Sequence, residues 1–149
     1  MYFCSVLYNN INILGMNKIE HIGIAVKNLE ESNLLFAKLF GKSHYKIEEV
    51  ASEGVNTSFF QVGANKIELL EATNADSPIA KFLEKKGEGI HHIAFDVTDI
   101  EAEIQRLQGE GFTVLNKTPK KGADNKLVAF LHPKSTNGVL IELCQEIGK

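Results

Sequence analysis

Residues 89–97, GIHHIAFDV, repeat in altered form residues 18–26, KIEHIGIAV, and this duplication constrains the chain more than any other feature. Placing His21 on His92 also brings Ile22 onto Ile93 and Val26 onto Val97. A second pair supports the alignment, since Ile67-Glu68-Leu69-Leu70 resembles Ile141-Glu142-Leu143-Cys144 at a nearly equal offset. A unit of roughly seventy residues has been copied with small loop differences, as in other internal repeats. Each copy offers one His and one Glu.

Strand geometry predicts where these side chains point, because successive residues alternate between faces. Ile22, Ile24 and Val26 share one face, with His21, Gly23 and Ala25 on the other. Ile93, Phe95 and Val97 likewise oppose His92 and Ala94, and the same alternation sends His91 to the side away from His92. Ile67 and Leu69 face away from Glu68, as Ile141 and Leu143 do from Glu142. The bulky faces are expected to pack under helices. The small neighbours of the histidines leave room for four polar side chains to converge on one cavity.

Each copy reads as strand, helix, then three strands. Asn28, with Glu31 three residues on, forms a capping box that opens a helix with an apolar face of Leu34, Leu35, Phe36, Leu39 and Phe40, stopped at Gly41. Strands are expected at 45–50, 56–62 and around Glu68. Asp76-Ser77-Pro78 starts a short linker helix running to about Lys85. In the second copy Asp99 takes the place of Asn28, and Ile100, Ile104 and Leu107 mark the buried stripe of a helix ending near Gly109 or Gly111. Strands are expected at 112–115, 127–131 and 139–143, with the Lys- and Gly-rich loop 119–126 at the cavity mouth. The modules thus span about 16–72 and 88–147 of one domain, 16–149, preceded by a weakly ordered leader, 1–15, for which Met16 offers an alternative start.

With 44% hydrophobic and 23% charged residues the chain has an ordinary globular composition, which argues against disorder and against a membrane protein. A net charge of −3 argues against nucleic acid as the main partner. Only Cys4 and Cys144 are present, so no disulfide framework is readable and a reducing cytoplasm is expected. Cys144 reads as core packing, since no nucleophile-activating partner is implied near it.

Taken singly, a histidine in a strand is ordinarily a satisfied core or rim residue, and a glutamate there usually faces solvent. The repeat changes that reading. Two His and two Glu at matched places inside apolar strands are costly to bury without a partner, and a divalent ion of intermediate softness satisfies all four. His21, Glu68, His92 and Glu142 are therefore the candidate ligands.

The doubled plan with His, Glu, His and Glu resembles the vicinal oxygen chelate superfamily, which includes glyoxalase I and the extradiol dioxygenases. Three segments carry a narrower likeness, to the methylmalonyl-CoA epimerase family: DSPIAKFL at 76–83, GEGIHHIAF at 87–95, and FLHPK at 130–134 with GVLIEL at 138–143. The resemblance implies an α+β fold of two tandem βαβββ modules forming an eight-stranded incomplete barrel, a homodimer, a divalent metal ion of which cobalt is typical, and methylmalonyl-CoA as substrate.

Matched motif to motif, His21, His92 and Glu142 fall on family ligands, and Glu68 on a fourth position where some members carry Gln. The implied reaction moves a proton on and off the carbon between a thioester and a carboxylate, and inversion needs an acid or base on each face of the planar intermediate. The resemblance makes Glu142 one base as well as a ligand. Some members carry the second base as a Glu shortly after a Gly-Val step, but here Thr57 occupies that place, and an unactivated hydroxyl is a poor base. Pseudo-twofold symmetry points instead to Glu68. Thr57 remains a candidate substrate contact, as does Lys134, with Lys120 or Lys121 as further candidates for the CoA phosphates. The competing readings are a glyoxalase I-like lyase or isomerase, an extradiol dioxygenase, and a metal-free protein of the drug-sequestering type. Retention of all four candidate ligands argues against the last.

Overall fold

The two copies meet where β1 (Met16–Ala25) and β5 (Gly89–Val97) pair antiparallel at the centre of one eight-stranded sheet. Each central strand has a parallel neighbour from its own copy, β4 (Asn65–Ala72) beside β1 and β8 (Ile141–Glu146) beside β5. Beyond β4 lie β3 (Val55–Val62) and β2 (Lys46–Val50); beyond β8 lie β7 (Lys126–Leu131) and β6 (Lys120–Lys121). The order β2-β3-β4-β1-β5-β8-β7-β6 is its own mirror about the central seam. The sheet curls until its edges approach, and Lys46 of β2 meets Asp124, in the turn after β6, at 2.6 Å. The result is the α+β incomplete barrel of two βαβββ modules. The computed structural model describes residues 15–148, so Cys4 and nearly all of the expected leader lie outside the described residues.

Three helices cover the sheet. α1 (Leu29–Phe40) is capped by Asn28, whose side chain accepts from the Glu31 amide, and ends at Gly41 in the left-handed region at φ 74°. Leu29, Phe36, Ala37 and Phe40 pack on Val26, Phe60 and Leu69, the bulky face expected of β1 and β4. The expected apolar face of α1 is corrected in one respect. Leu34, Leu35 and Leu39 are 64%, 63% and 70% exposed, because the stripe that meets the sheet runs through 29, 33, 36 and 40. α2 (Pro78–Lys86) follows the Ser77 cap and seats Ile79 against Ala25, Val55 and Leu70. α3 (Ile100–Gly109) packs Ile100, Ile104 and Leu107 onto Val97, Ala129 and Leu143, each such side chain contributing roughly 1.5–3 kcal/mol by leaving water.

The second copy departs from the expected plan at its edge. Residues 112–115 make only an isolated bridge, Val114 to Leu131, and the outer strand is the two-residue β6 instead. The chain here serves the cavity mouth, and Phe112 and Val114 turn inward to the α3 core.

The central seam also breaks strict alternation. Pairing passes from Ile19–Phe95 to His21–Ala94, and from Gly23–His92 to Ile24–Ile90, so Glu20 on β1 and His91 on β5 have no residue opposite. Each is the extra residue of a β-bulge.

Candidate active site

Both bulges lie immediately before a ligand candidate. At each, the extra residue turns its side chain toward the same interior as the histidine that follows. His91, expected on the far side, instead places its Nδ1 3.0 Å from His92 Nδ1. Glu20, which alternation also placed away from His21, is 3% exposed and accepts from His21 Nδ1 at 3.1 Å.

Backbone space decides where His92 sits. A Cβ on Gly23 would fall 2.3 Å from His92 Cε1, so only glycine lets the imidazole cross β1. Phe130 meets the other side of the ring, with centroids 6.0 Å apart. His21 Nε2 then lies 3.0 Å from His92 Nε2, and Glu142, from β8, places Oε2 3.2 Å from His21 Nε2 and Oε1 3.9 Å from His92 Nε2. These three residues offer donor atoms all within 4.8 Å of one another. Glu68, from β4, stands on the other side of His21, its Oε2 3.0 Å from Nδ1, and is not part of that trio.

The four candidates share the wall of one cavity of about 340 Å³. Val55, Leu70, Ile79, Val128, Phe130 and Leu140 supply its apolar lining, and Glu53 and Lys120 pair across it from the two copies. Its size and its apolar lining with a few polar groups are those of a small-molecule site. Lys120 and Lys126 of the 119–126 loop line the cavity. Two weaker expectations fare differently: Thr57 is 1% exposed, packed beside its β4 partner Leu70, and Lys134 projects to solvent from the turn after β7. Neither is on the cavity wall.

Charge is concentrated here. Burial opposes the imidazolium of His21, but Glu68, Glu142 and Glu20 outweigh it and raise the pKa to about 10. Burial lowers His92 to about 3 despite Glu142, and raises Glu68 to about 7 against the pull of His21. Burial would raise Glu142 too, but its contacts with His21 and His92 hold it below the usual carboxylate range. Glu20 is lowered to about 2 against burial, by His21, Lys126 and Lys66. The carboxylates favour positive charge at the centre of the site.

A divalent ion fits that demand. Glu142 Oε2 is buried without a hydrogen-bond partner, a costly state that a cation among the three donors relieves. Two imidazoles and a carboxylate are intermediate donors suited to a transition ion. A second grouping, Glu20, His21 and Cys144, is less suited. Burial pushes the Cys144 thiol pKa well up, and its S–H points to the Phe95 carbonyl at 3.5 Å.

Comparison with known proteins gives the fold its family. Residues 20–130 match the Glyoxalase/Bleomycin resistance protein/Dioxygenase superfamily. The chain is 42% identical over 140 residues to the mitochondrial methylmalonyl-CoA epimerase of Dictyostelium discoideum, covering 93% of this chain and 84% of that protein. A Streptomyces coelicolor methylmalonyl-CoA epimerase variant in complex with 2-nitronate-propionyl-CoA superposes with a TM-score of 0.86 at 34% identity, covering 90% of this chain and 97% of that one. A methylmalonyl-CoA epimerase in complex with methylmalonyl-CoA and NH4+ superposes with the same TM-score, 0.86, also at 34% identity and with coverage of 90% and 97%. Among the described residues no helix is long and apolar enough to cross a membrane.

Proposed function

Because the chain belongs to the glyoxalase/bleomycin resistance protein/dioxygenase superfamily, we propose that it is a methylmalonyl-CoA epimerase, interconverting the (R) and (S) epimers of that thioester. The observation that carries this reading is the pair of carboxylates, one from each copy, at the two nitrogens of the His21 imidazole in one cavity. Relatives and solved structures of similar fold bear the same activity in their names.

The reacting carbon lies between a thioester carbonyl and a carboxylate, so losing its proton spreads negative charge onto both oxygens. His21, His92 and Glu142 would hold a divalent ion, cobalt by resemblance, which would supply positive charge to stabilise the developing enolate, while Glu68, across His21 from these three donors, stays free to act as a base. Glu142 takes the proton on one face. Glu68 delivers one on the other, which completes inversion. Leu70, Ile79, Val128 and Phe130 exclude water around the planar intermediate, which protects it from protonation by solvent. Lys120, at the mouth, is better placed than Lys134 to meet the CoA phosphates. The enzyme works in a reducing cytoplasm, consistent with its free, buried Cys144. It works as a homodimer, for which the exposed Leu34, Leu35 and Leu39 offer apolar surface.

The test uses one epimer of methylmalonyl-CoA in heavy water, followed by proton NMR and a chiral assay, with cobalt-loaded and chelator-stripped protein side by side. Deuterium at the central carbon with loss of chirality, dependent on the ion, is the expected result. Fully metallated protein that incorporates none would redirect the assignment to glutathione-linked substrates.

A further inference from the structure

The two ligand histidines are each preceded by a residue for which neither the trio of donor atoms nor the two proposed bases has any use. Both residues are bulged, and both touch the Nδ1 atom of the histidine that follows. Such repetition, in chemically different residues, suggests that the contact itself is what the fold preserves.

We propose that Glu20 and His91 are positioning residues: each receives the Nδ1–H of its neighbour and so turns that neighbour's Nε2 lone pair toward a single divalent ion. The inference rests on the metal reading of the site given above.

Geometry makes the assignment. The two Nε2 atoms face each other at 3.0 Å, so the ion-binding nitrogens are the Nε2 pair and the Nδ1 pair is free to donate. Glu20 Oε1 takes the His21 Nδ1–H at 3.1 Å with hydrogen-bond geometry. Glu68 Oε2 is as close to that nitrogen, at 3.0 Å, but lacks that geometry, which leaves it available to the reaction. Glu20 is itself fixed by Lys66 at 3.4 Å, and Lys66 by Asp124 at 2.7 Å. On the other copy, His91 Nδ1 lies 3.0 Å from His92 Nδ1 with the rings near perpendicular, at 89°. Phe82 of α2 holds the His91 ring edge-on, with centroids 5.0 Å apart. A metal-bound imidazole whose other N–H has a fixed acceptor keeps its tautomer and its orientation, and loss of such an acceptor commonly weakens metal binding about 10–100-fold.

Without the bulges this pairing would fail. A side chain in regular alternation points to the opposite face of the sheet from its neighbour. One extra residue in each strand brings Glu20 and His91 onto the interior side, at the cost of two breaks in the central ladder.

The experiment loads chelator-stripped protein with Co2+. Affinity is read from the visible absorption of the bound ion, and the ligand rings from the far-shifted, solvent-exchangeable N–H signals in the proton NMR spectrum. Wild type is expected to show two such signals, one for each Nδ1–H. Glu20→Ala should lose one and bind cobalt about 10–100-fold more weakly, while Glu20→Gln, which keeps an acceptor oxygen, should restore the signal and most of the affinity. His91→Ala should lose the other signal only. Alanine variants that keep both signals and wild-type affinity would overturn the inference, and Glu20→Gln tests it even where an alanine variant fails to fold. Wild type that binds no cobalt would instead remove the metal reading beneath it.

Discussion

His21 and His92 occupy equivalent places in two copies of one strand, yet three carboxylates crowd the first and only Glu142 reaches the second. Glu20, Glu68 and Glu142 crowd His21 and raise its pKa to about 10. His92 meets Gly23, His91 and Phe130, and burial lowers it to about 3. The glutamates differ too: Glu142 reaches both Nε2 atoms, while Glu68 stands on the far side of His21. Duplication thus supplied a symmetric frame, and the residues around each imidazole made its halves unequal. Two unlike carboxylates in like positions are what a two-faced proton transfer requires.

The comparison is broken most severely at Glu142, the one carboxylate that touches both rings. Glu142→Gln removes the proposed ligand and the proposed base together, and kcat/KM should fall about 10³-fold or more, with cobalt content after dialysis falling in parallel. Steady-state epimerisation and metal analysis of the same preparation check both.

Smaller substitutions on the central strands sharpen it. Gly23→Ala drives a methyl into the His92 ring and should weaken cobalt binding about 10–100-fold. The equivalent residue of the second copy is Ala94, fully buried against Val128 and Cys144. Ala94→Gly should leave metal affinity near wild type and cost about 1 kcal/mol of stability. Metal titration and urea unfolding of the pair separate the two effects.

Much of this frame was legible in the sequence. The repeated His and Glu inside apolar strands pointed to the doubled unit, to the four strands that carry the polar residues and to their convergence on one cavity, whereas which strands pair, and in which direction, is not written in the periodicity. Alternation gave the packed faces, which hold for Val26, Leu69, Val97 and Leu143. Glu20 and His91 were missed because a bulge is a cross-strand event that a single strand's periodicity does not record. One signal was present: a carboxylate directly before the histidine in an otherwise apolar strand. The leucines of α1 misled because an apolar residue is not thereby a buried one. The edge of the second copy was over-read as a strand, since Phe112 and Val114 are apolar for the sake of the α3 core.

Acid stability distinguishes the seam between the copies from contacts within one. Burial works against the Asp124 carboxylate, but Lys46 and Lys66, from the other copy, hold its pKa below the ordinary aspartate value. Burial likewise works against Glu103, which Arg106 and the Gly15 amide hold below 4.5. A depressed folded-state pKa contributes stability that is fully present above the unfolded value and lost as pH falls through the folded one. Urea midpoints should therefore drop as pH falls below about 4.5. Asp124→Asn and Glu103→Gln should each flatten part of that drop. The smallest effect is expected at Cys144, whose buried thiol has a raised pKa and should resist alkylation in native protein at pH 8 while reacting in urea.

The most direct test of unequal carboxylates on a symmetric frame is Glu68→Gln, cobalt-loaded, given a single epimer of methylmalonyl-CoA in heavy water. With Glu142 intact, deuterium should enter the central carbon from one face while chirality is kept, and inversion should cease. Inversion at the wild-type rate would contradict the account, because it would remove Glu68 from the chemistry and leave one face of the intermediate without its proton donor.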